Sequence, residues 1–147
     1  MVLFLLTTFG NNCTNLESLH IKTHLNLYRP EREHHCFQNC FSNLKKLTVQ
    51  KLCDAEIFFG VFNKNMSLII EELPLEDLQS VAFVTICEGL KKLKKVEFKV
   101  DLTPDLCEVF DKKELAEIFD KNLQGTEVVV SSKHKSAKPL TFGQKYP

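Results

Sequence analysis

The sequence predicts an α/β fold: a curved parallel sheet of about five strands with helices on the outer face. Two observations predict it. First, an apolar frame stepping by three, three and two residues recurs along the 147-residue chain. It is clearest at Leu90, Leu93, Val96 and Phe98, at Cys13, Leu16, Leu19 and Ile21, and at Phe41, Leu44, Leu47 and Val49. Weaker copies run Phe62, Asn65, Leu68, Ile70 and Leu123, Thr126, Val128. The final step of two suits a strand, where alternate side chains share a face, and the steps of three suit the descent from a helix. With 44% apolar residues, about five such matches arise by chance. The second observation is therefore the more informative one. The frame ends Ile21, Val49, Ile70, Phe98 and Val128 lie 28, 21, 28 and 30 residues apart, with helix-like segments between them. Repeats of this size bury their apolar faces only on their neighbours.

The first strand unit is Cys13 to Ile21. The apolar run Met1–Leu6 ahead of it lacks a basic start and a small-residue cleavage pattern, so it reads as the back half of a preceding repeat rather than a secretory signal. No polar cap precedes it, although terminal repeats normally need one, which predicts a fragment of a longer array. Leu25–Pro30 is a loop, and Pro30 with Glu31 and Glu33 opens a helix from Arg32 to Asn43. Leu44–Gln50 is the second strand unit. Asp54 caps a short helix from Ala55 to Phe62, although this β-prone run also fits a strand. Ser67–Ile70 is the third strand.

Leu75, Leu78, Val81, Ala82, Ile86, Leu90 and Leu93 keep a helical period, with Pro74 and two acids at the start. Lys95–Val100 is the fourth strand. Thr103 and Pro104 open a helix to Phe110. Asp111 and Glu114 form a capping box for a second helix, Lys112–Asn122, which Gly125 ends. Glu127–Ser131 is the fifth strand. The domain thus spans 1–131, and 132–147, with four lysines and little apolar content, is a flexible tail.

Composition narrows the function. Nineteen basic and nineteen acidic residues cancel, so no global field favours nucleic acid or an anionic membrane. No apolar run reaches membrane-spanning length. Lys91, Lys92, Lys94, Lys95 and Lys99 cluster locally, but Glu97 interrupts them and no aromatic residue interleaves as a stacking platform. They read as a solvated face at a helix C-terminus. Six cysteines at irregular spacing do not form a disulfide scaffold. They predict reduced, mostly structural thiols, Cys13, Cys87 and Cys107 among them, in a cytoplasmic or nuclear setting. Asn12 and Asn65 open glycosylation sequons that matter only in a secreted chain. His34, His35, Cys36 and Cys40 invite a zinc site, but their spacing matches no zinc signature, so no metal is expected. No phosphate loop, nucleophile elbow or motif-placed carboxylate pair is present, and no cofactor is expected.

Asn15-Leu16-Glu17-Ser18-Leu19-His20-Ile21, Asn43-Leu44-Lys45-Lys46-Leu47-Thr48-Val49 and Leu93-Lys94-Lys95-Val96-Glu97-Phe98 resemble leucine-rich repeats of the ribonuclease-inhibitor-like and cysteine-containing kinds found in F-box substrate receptors. The resemblance covers most of 1–131. The family's Asn or Cys three residues beyond the strand is here His24, Leu52, Leu73, Asp101 and Ser131, so the chain departs from the regular Asn ladder. Leu73-Pro74-Leu75-Glu76-Asp77-Leu78 looks like the opening of an F-box and reads as a helix start inside a repeat. The resemblance implies a non-catalytic protein-interaction scaffold, a fragment or relative of a ubiquitin-ligase substrate receptor. The alternatives are a small Cys/His-dependent enzyme and an unrelated α/β domain.

If the chain binds a protein partner, strand alternation names the surface. The residues between the inward apolar positions are Ser18, His20 and Lys22, then Lys46, Thr48 and Gln50, then Ser67, Ile69 and Glu71, then Lys95, Glu97 and Lys99, then Glu127 and Val129. The partner-binding candidates are His20, Lys22, Thr48, Gln50, Ile69, Glu71, Glu97, Lys99, Glu127 and Val129. The predicted middle row is His20, Thr48, Ile69, Glu97 and Glu127. Ile69 is its one apolar side chain, a candidate anchor ringed by charges of both signs.

Overall fold

Alternating burial marks the strands. In Lys95–Val100, Val96, Phe98 and Val100 are buried, while Lys95, Glu97 and Lys99 are half-buried. Branched and aromatic side chains at the inward positions fit a pleated surface packed on one side. The computed structural model describes residues 15–22, 41–74, 77–78, 80–100, 112–132 and 140–142. Their elements are β1 (Ser18–His20), β2 (Lys46–Val49), a 3-10 helix (Leu52–Phe58), β3 (Ser67–Leu73), α1 (Val81–Leu90), β4 (Lys95–Val100), α2 (Lys112–Asn122), β5 (Glu127–Ser132) and β6 (Leu140–Phe142). The protein is mixed α/β. One six-stranded sheet runs in chain order from β1 to β6. Strands β1 to β5 are parallel, and β6 is antiparallel to β5.

Neighbouring strands are entered alike. The Lys46 N–H donates to the Glu17 carbonyl, the Ser67 N–H to that of Lys45, the Lys94 N–H to that of Met66, and the Glu127 N–H to that of Lys94. Val49 pairs with Ile70 and Ile70 with Phe98, while the Ile21 N–H reaches the Thr48 carbonyl at 2.9 Å. These are the expected centres of the first four strands. The fifth is displaced. Phe98 pairs with Val130, and Val128 with Val96. The positive φ of Gly125 (90°) turns the chain ahead of β5, and the fully buried Thr126 follows it. The connection is thus two residues longer than the frame predicted.

The inward side chains form continuous rows. Leu47, Leu68, Val96 and Val128 make one, and Val49, Ile70, Phe98 and Val130 the next. The two helices pack on this face through aromatic rings. Phe83 of α1 meets Phe98 edge-on at 5.7 Å between centroids. Phe119 of α2 stacks on Phe98 at 6.0 Å and 18°. Such pairs add about 0.5–1.5 kcal/mol beyond their burial.

Four other expectations are revised. The chain end is not wholly a tail: β5 includes Ser132, and Leu140–Phe142 returns as β6, with Phe142 buried 5.1 Å from Phe119. One aromatic side chain anchors a segment that composition read as mobile. Helix α1 begins at Val81, not near Pro74, because Leu73 belongs to β3 and pairs with Val100 after a register shift beyond Ile70. Ser80 is the cap: its Oγ accepts from the Phe83 N–H at 3.1 Å and donates to the Asp77 carbonyl at 2.8 Å. Of the F-box-like stretch, Leu73 thus closes β3, and Asp77 and Leu78 form part of a 3-10 turn ahead of α1. Finally, 52–58 forms a tight 3-10 turn rather than a helix to Phe62, with Asp54 inside it accepting from the Lys51 N–H at 3.1 Å. Helix α2 occupies Lys112–Asn122 as expected. The first apolar run, residues 32–40 of the expected Arg32 helix with its His and Cys residues, Cys13, Cys107, the Pro104 helix, and residues 133–139 and 143–147 lie outside the described residues, while 41–43, expected to end that helix, form a turn with Phe41 at a φ of 53°.

Two side chains join repeats where α1 hands over to β4. The Lys64 ammonium donates to the Lys91 carbonyl at 2.7 Å. The buried Thr126 hydroxyl lies 3.0 Å from the Leu93 carbonyl and 3.2 Å from that of Lys91. A hydroxyl ahead of β5 and an ammonium ahead of β3 thus satisfy carbonyls that a helix C-terminus leaves unpaired.

Candidate partner-binding strand face

Opposite the packed face, register sets the side chains in three rows. The lower row is Ser18, Lys46, Ser67, Lys95 and Glu127. The middle row is His20, Thr48, Ile69, Glu97 and Val129. Glu127 was expected in the middle row. It stands beside Lys95 instead, because β5 is displaced by two residues, and Val129 takes its place. In the upper row Lys99 pairs with Ser131, Glu71 lies within the register shift between Ile70 and Leu73, and Gln50 and Lys22 follow the ends of their strands. The structure therefore brings the sequence-derived candidates onto one side of one sheet. The same alternation adds Lys46, Ser67 and Lys95, which that set omitted.

The face is neither flat nor uniformly solvated. Thr48 is 6% exposed and Val129 8%, so both are buried. Ile69, Glu71, Glu97, Lys99, Gln50 and Glu127 are half-buried, and His20 and Lys22 exposed. Glu71 binds in two directions. Its Oε2 lies 3.3 Å from the Lys99 ammonium, and its Oε1 lies 3.6 Å from His20 Nε2, an ion pair when the ring is protonated. One carboxylate of β3 thereby links side chains of β1 and β4. The Ser131 hydroxyl donates to Glu97 Oε2 at 3.4 Å. Such half-exposed pairs stabilise by about 0–1 kcal/mol each and mainly fix side-chain positions. Below Ile69 the surface dips into a depression of about 290 Å³ lined by Lys46, Ser67, Leu68, Ile69, Lys95 and Glu97.

A second cavity, of about 420 Å³, lies beyond the C-terminal ends of β2 and β3, with Cys53, Glu72, Asp77, Phe83 and Ile86 among its lining. Partial burial, then the Asp54 and Glu56 carboxylates, raise the Cys53 pKa and hold it as a thiol. A thiol without thiolate character is a poor nucleophile. Among the described residues, no three His, Cys, Asp or Glu side chains cluster to hold a metal ion, and no helix is long and apolar enough to cross a membrane. Comparison with family models, curated proteins and solved structures finds no match to this chain.

Proposed function

We propose that this chain is a non-catalytic protein-interaction scaffold, built as a leucine-rich-repeat-like solenoid whose strand face holds a protein partner. The observation that carries this reading is the asymmetry of the parallel sheet. Parallel sheets ordinarily have both faces covered and strands that are apolar on both sides. Here the helices pack on one face, and the other alternates Lys, Glu, His, Ser and Thr around a half-buried isoleucine. Chain-order stacking also leaves no reversal of strand order, the place where open α/β sheets bind small ligands. A rigid face with a central apolar side chain and a polar rim suits a protein surface.

By resemblance, the setting is cytoplasmic or nuclear, and the chain is a fragment or relative of an F-box substrate receptor. The test is a pull-down with the tagged intact chain and with Ile69→Asp, each checked by thermal melting. The expected result is a partner retained by the parent chain and weakened by about 1–2 kcal/mol or more in the variant. Ubiquitin-ligase subunits in the same eluate support the receptor setting. A partner held equally by a folded Ile69→Asp variant places the interface elsewhere.

A further inference from the structure

Resting on the scaffold reading, we infer that the strand face takes an acidic peptide segment, with a carboxylate between Lys46 and Lys95 and a neighbouring apolar side chain on Ile69. Positive charge is left over at one end of the face. At the upper end of the face, Glu71 is already engaged by Lys99 and His20, and Glu97 by Ser131. At the lower end, Lys46 and Lys95 make no ion pair among the described residues. They stand on β2 and β4 on either side of Ser67, in register with both. Two strand spacings separate their backbones by roughly 10 Å. Flexible four-carbon stems let both ammoniums close on one anion over Ser67, whose hydroxyl can donate as well.

The same depression fixes what the anion is attached to. Ile69 forms its apolar wall, and Glu97 its opposing charge. A polyphosphate chain would run its next charge into Glu97 and find no aromatic ring for its bases among these residues. A single carboxylate beside an aliphatic or aromatic side chain meets both lysines and covers Ile69.

The test pans a phage-displayed random peptide library on the immobilised intact chain, then measures synthetic copies of the enriched peptides by fluorescence anisotropy. The expected result is enrichment of Asp or Glu next to Leu, Ile, Val or Phe. Affinity for these peptides should fall about tenfold in K46E/K95E, with melting unchanged. If charge reversal disturbs folding, K46Q/K95Q serves, with a smaller loss in the same direction. Enrichment without acidic residues overturns the inference, as does acidic-peptide binding indifferent to both lysine variants. So does oligothymidine binding that the lysine variants abolish, since the face would then serve nucleic acid. Peptides lost in Ile69→Asp but unaffected by the lysine variants sink this inference and leave the scaffold reading standing. Peptides unaffected by either kind of variant sink both.

Discussion

The ring of Phe59 lies against the bare Cα of Gly89: a Cβ placed there would stand 2.5 Å from the Phe59 Cδ2. The contact lets the turn after the 3-10 helix settle on α1, one repeat further along the chain. Alanine is better than glycine in a helix by about 1 kcal/mol. Forcing a methyl group into a packed contact costs about 1–3 kcal/mol. Gly89→Ala should therefore destabilise by up to about 2 kcal/mol in denaturant unfolding. In a Phe59→Ala background the clash is gone, and the same substitution should stabilise. If Gly89→Ala stabilises in both backgrounds, the two segments do not pack as described.

Phe142 tests whether the returning strand belongs to the fold. It is buried against Phe119, which stacks on Phe98 at the centre of the packed face. Phe142→Ala should cost about 3–5 kcal/mol, the range for a core phenylalanine. Val81→Ala, at a side chain 84% exposed on α1, should change stability by less than about 0.5 kcal/mol. Equal, small effects would return Leu140–Phe142 to the tail.

Among the described residues Cys53 and Cys87 are free thiols, and they should behave differently. Cys87 is 1% exposed, and burial, then the Glu88 carboxylate, push its pKa up to about 12. An unfolded cysteine ionises near pH 8.5. The folded state therefore keeps a proton that the unfolded chain releases. The resulting stability is complete below the unfolded pKa and is lost as pH rises towards the folded one. Denaturant midpoints should fall between about pH 9 and 12 less steeply in Cys87→Ala than in the parent chain. Alkylation at pH 8 followed by peptide mass mapping should label the exposed Cys53 under native conditions and Cys87 only in denaturant. Native labelling of Cys87 would show it accessible.

Strand order and phase were legible where alternation was strict. In Lys95–Val100 and in Lys46–Val49, small shifts would bury lysine or expose valine, so register is strongly specified. The fifth strand was read at its place, Glu127 onward, but its register escaped because Leu123 and Thr126 imitate the frame two residues early. Thr126 is buried for its hydroxyl, which satisfies the Leu93 carbonyl, and not as an apolar step. The start of α1 escaped because Leu75 and Leu78 extend its period backwards, although the α-helix itself begins only at Val81. The signal that marks the start is Ser80, a cap preceded by turn residues. Strand β6 was hidden for another reason: an antiparallel return held by one phenylalanine has no periodicity to read.

The polar strand face was legible as a surface, but its side-chain pairing was not. Alternation placed His20, Thr48 and Ile69 side by side without any structure. The engagement of Glu71 with both His20 and Lys99 depends on side-chain reach across strands, which spacing does not encode. The uncommitted lysines at the lower end emerge only once those pairs are drawn.

The central claim is that neighbouring residues of β3 face opposite worlds, Ile69 an open surface and Ile70 the core. It is tested most directly by comparing the unfolding free energies of Ile69→Asp and Ile70→Asp. Ile70 is fully buried, and a carboxylate there should cost more than about 4 kcal/mol or prevent folding. Ile69 is half-buried, and Asp there should cost about 1–2 kcal/mol, from strand propensity and partial burial. Comparable losses at both positions, or a larger loss at Ile69, would contradict an open strand face.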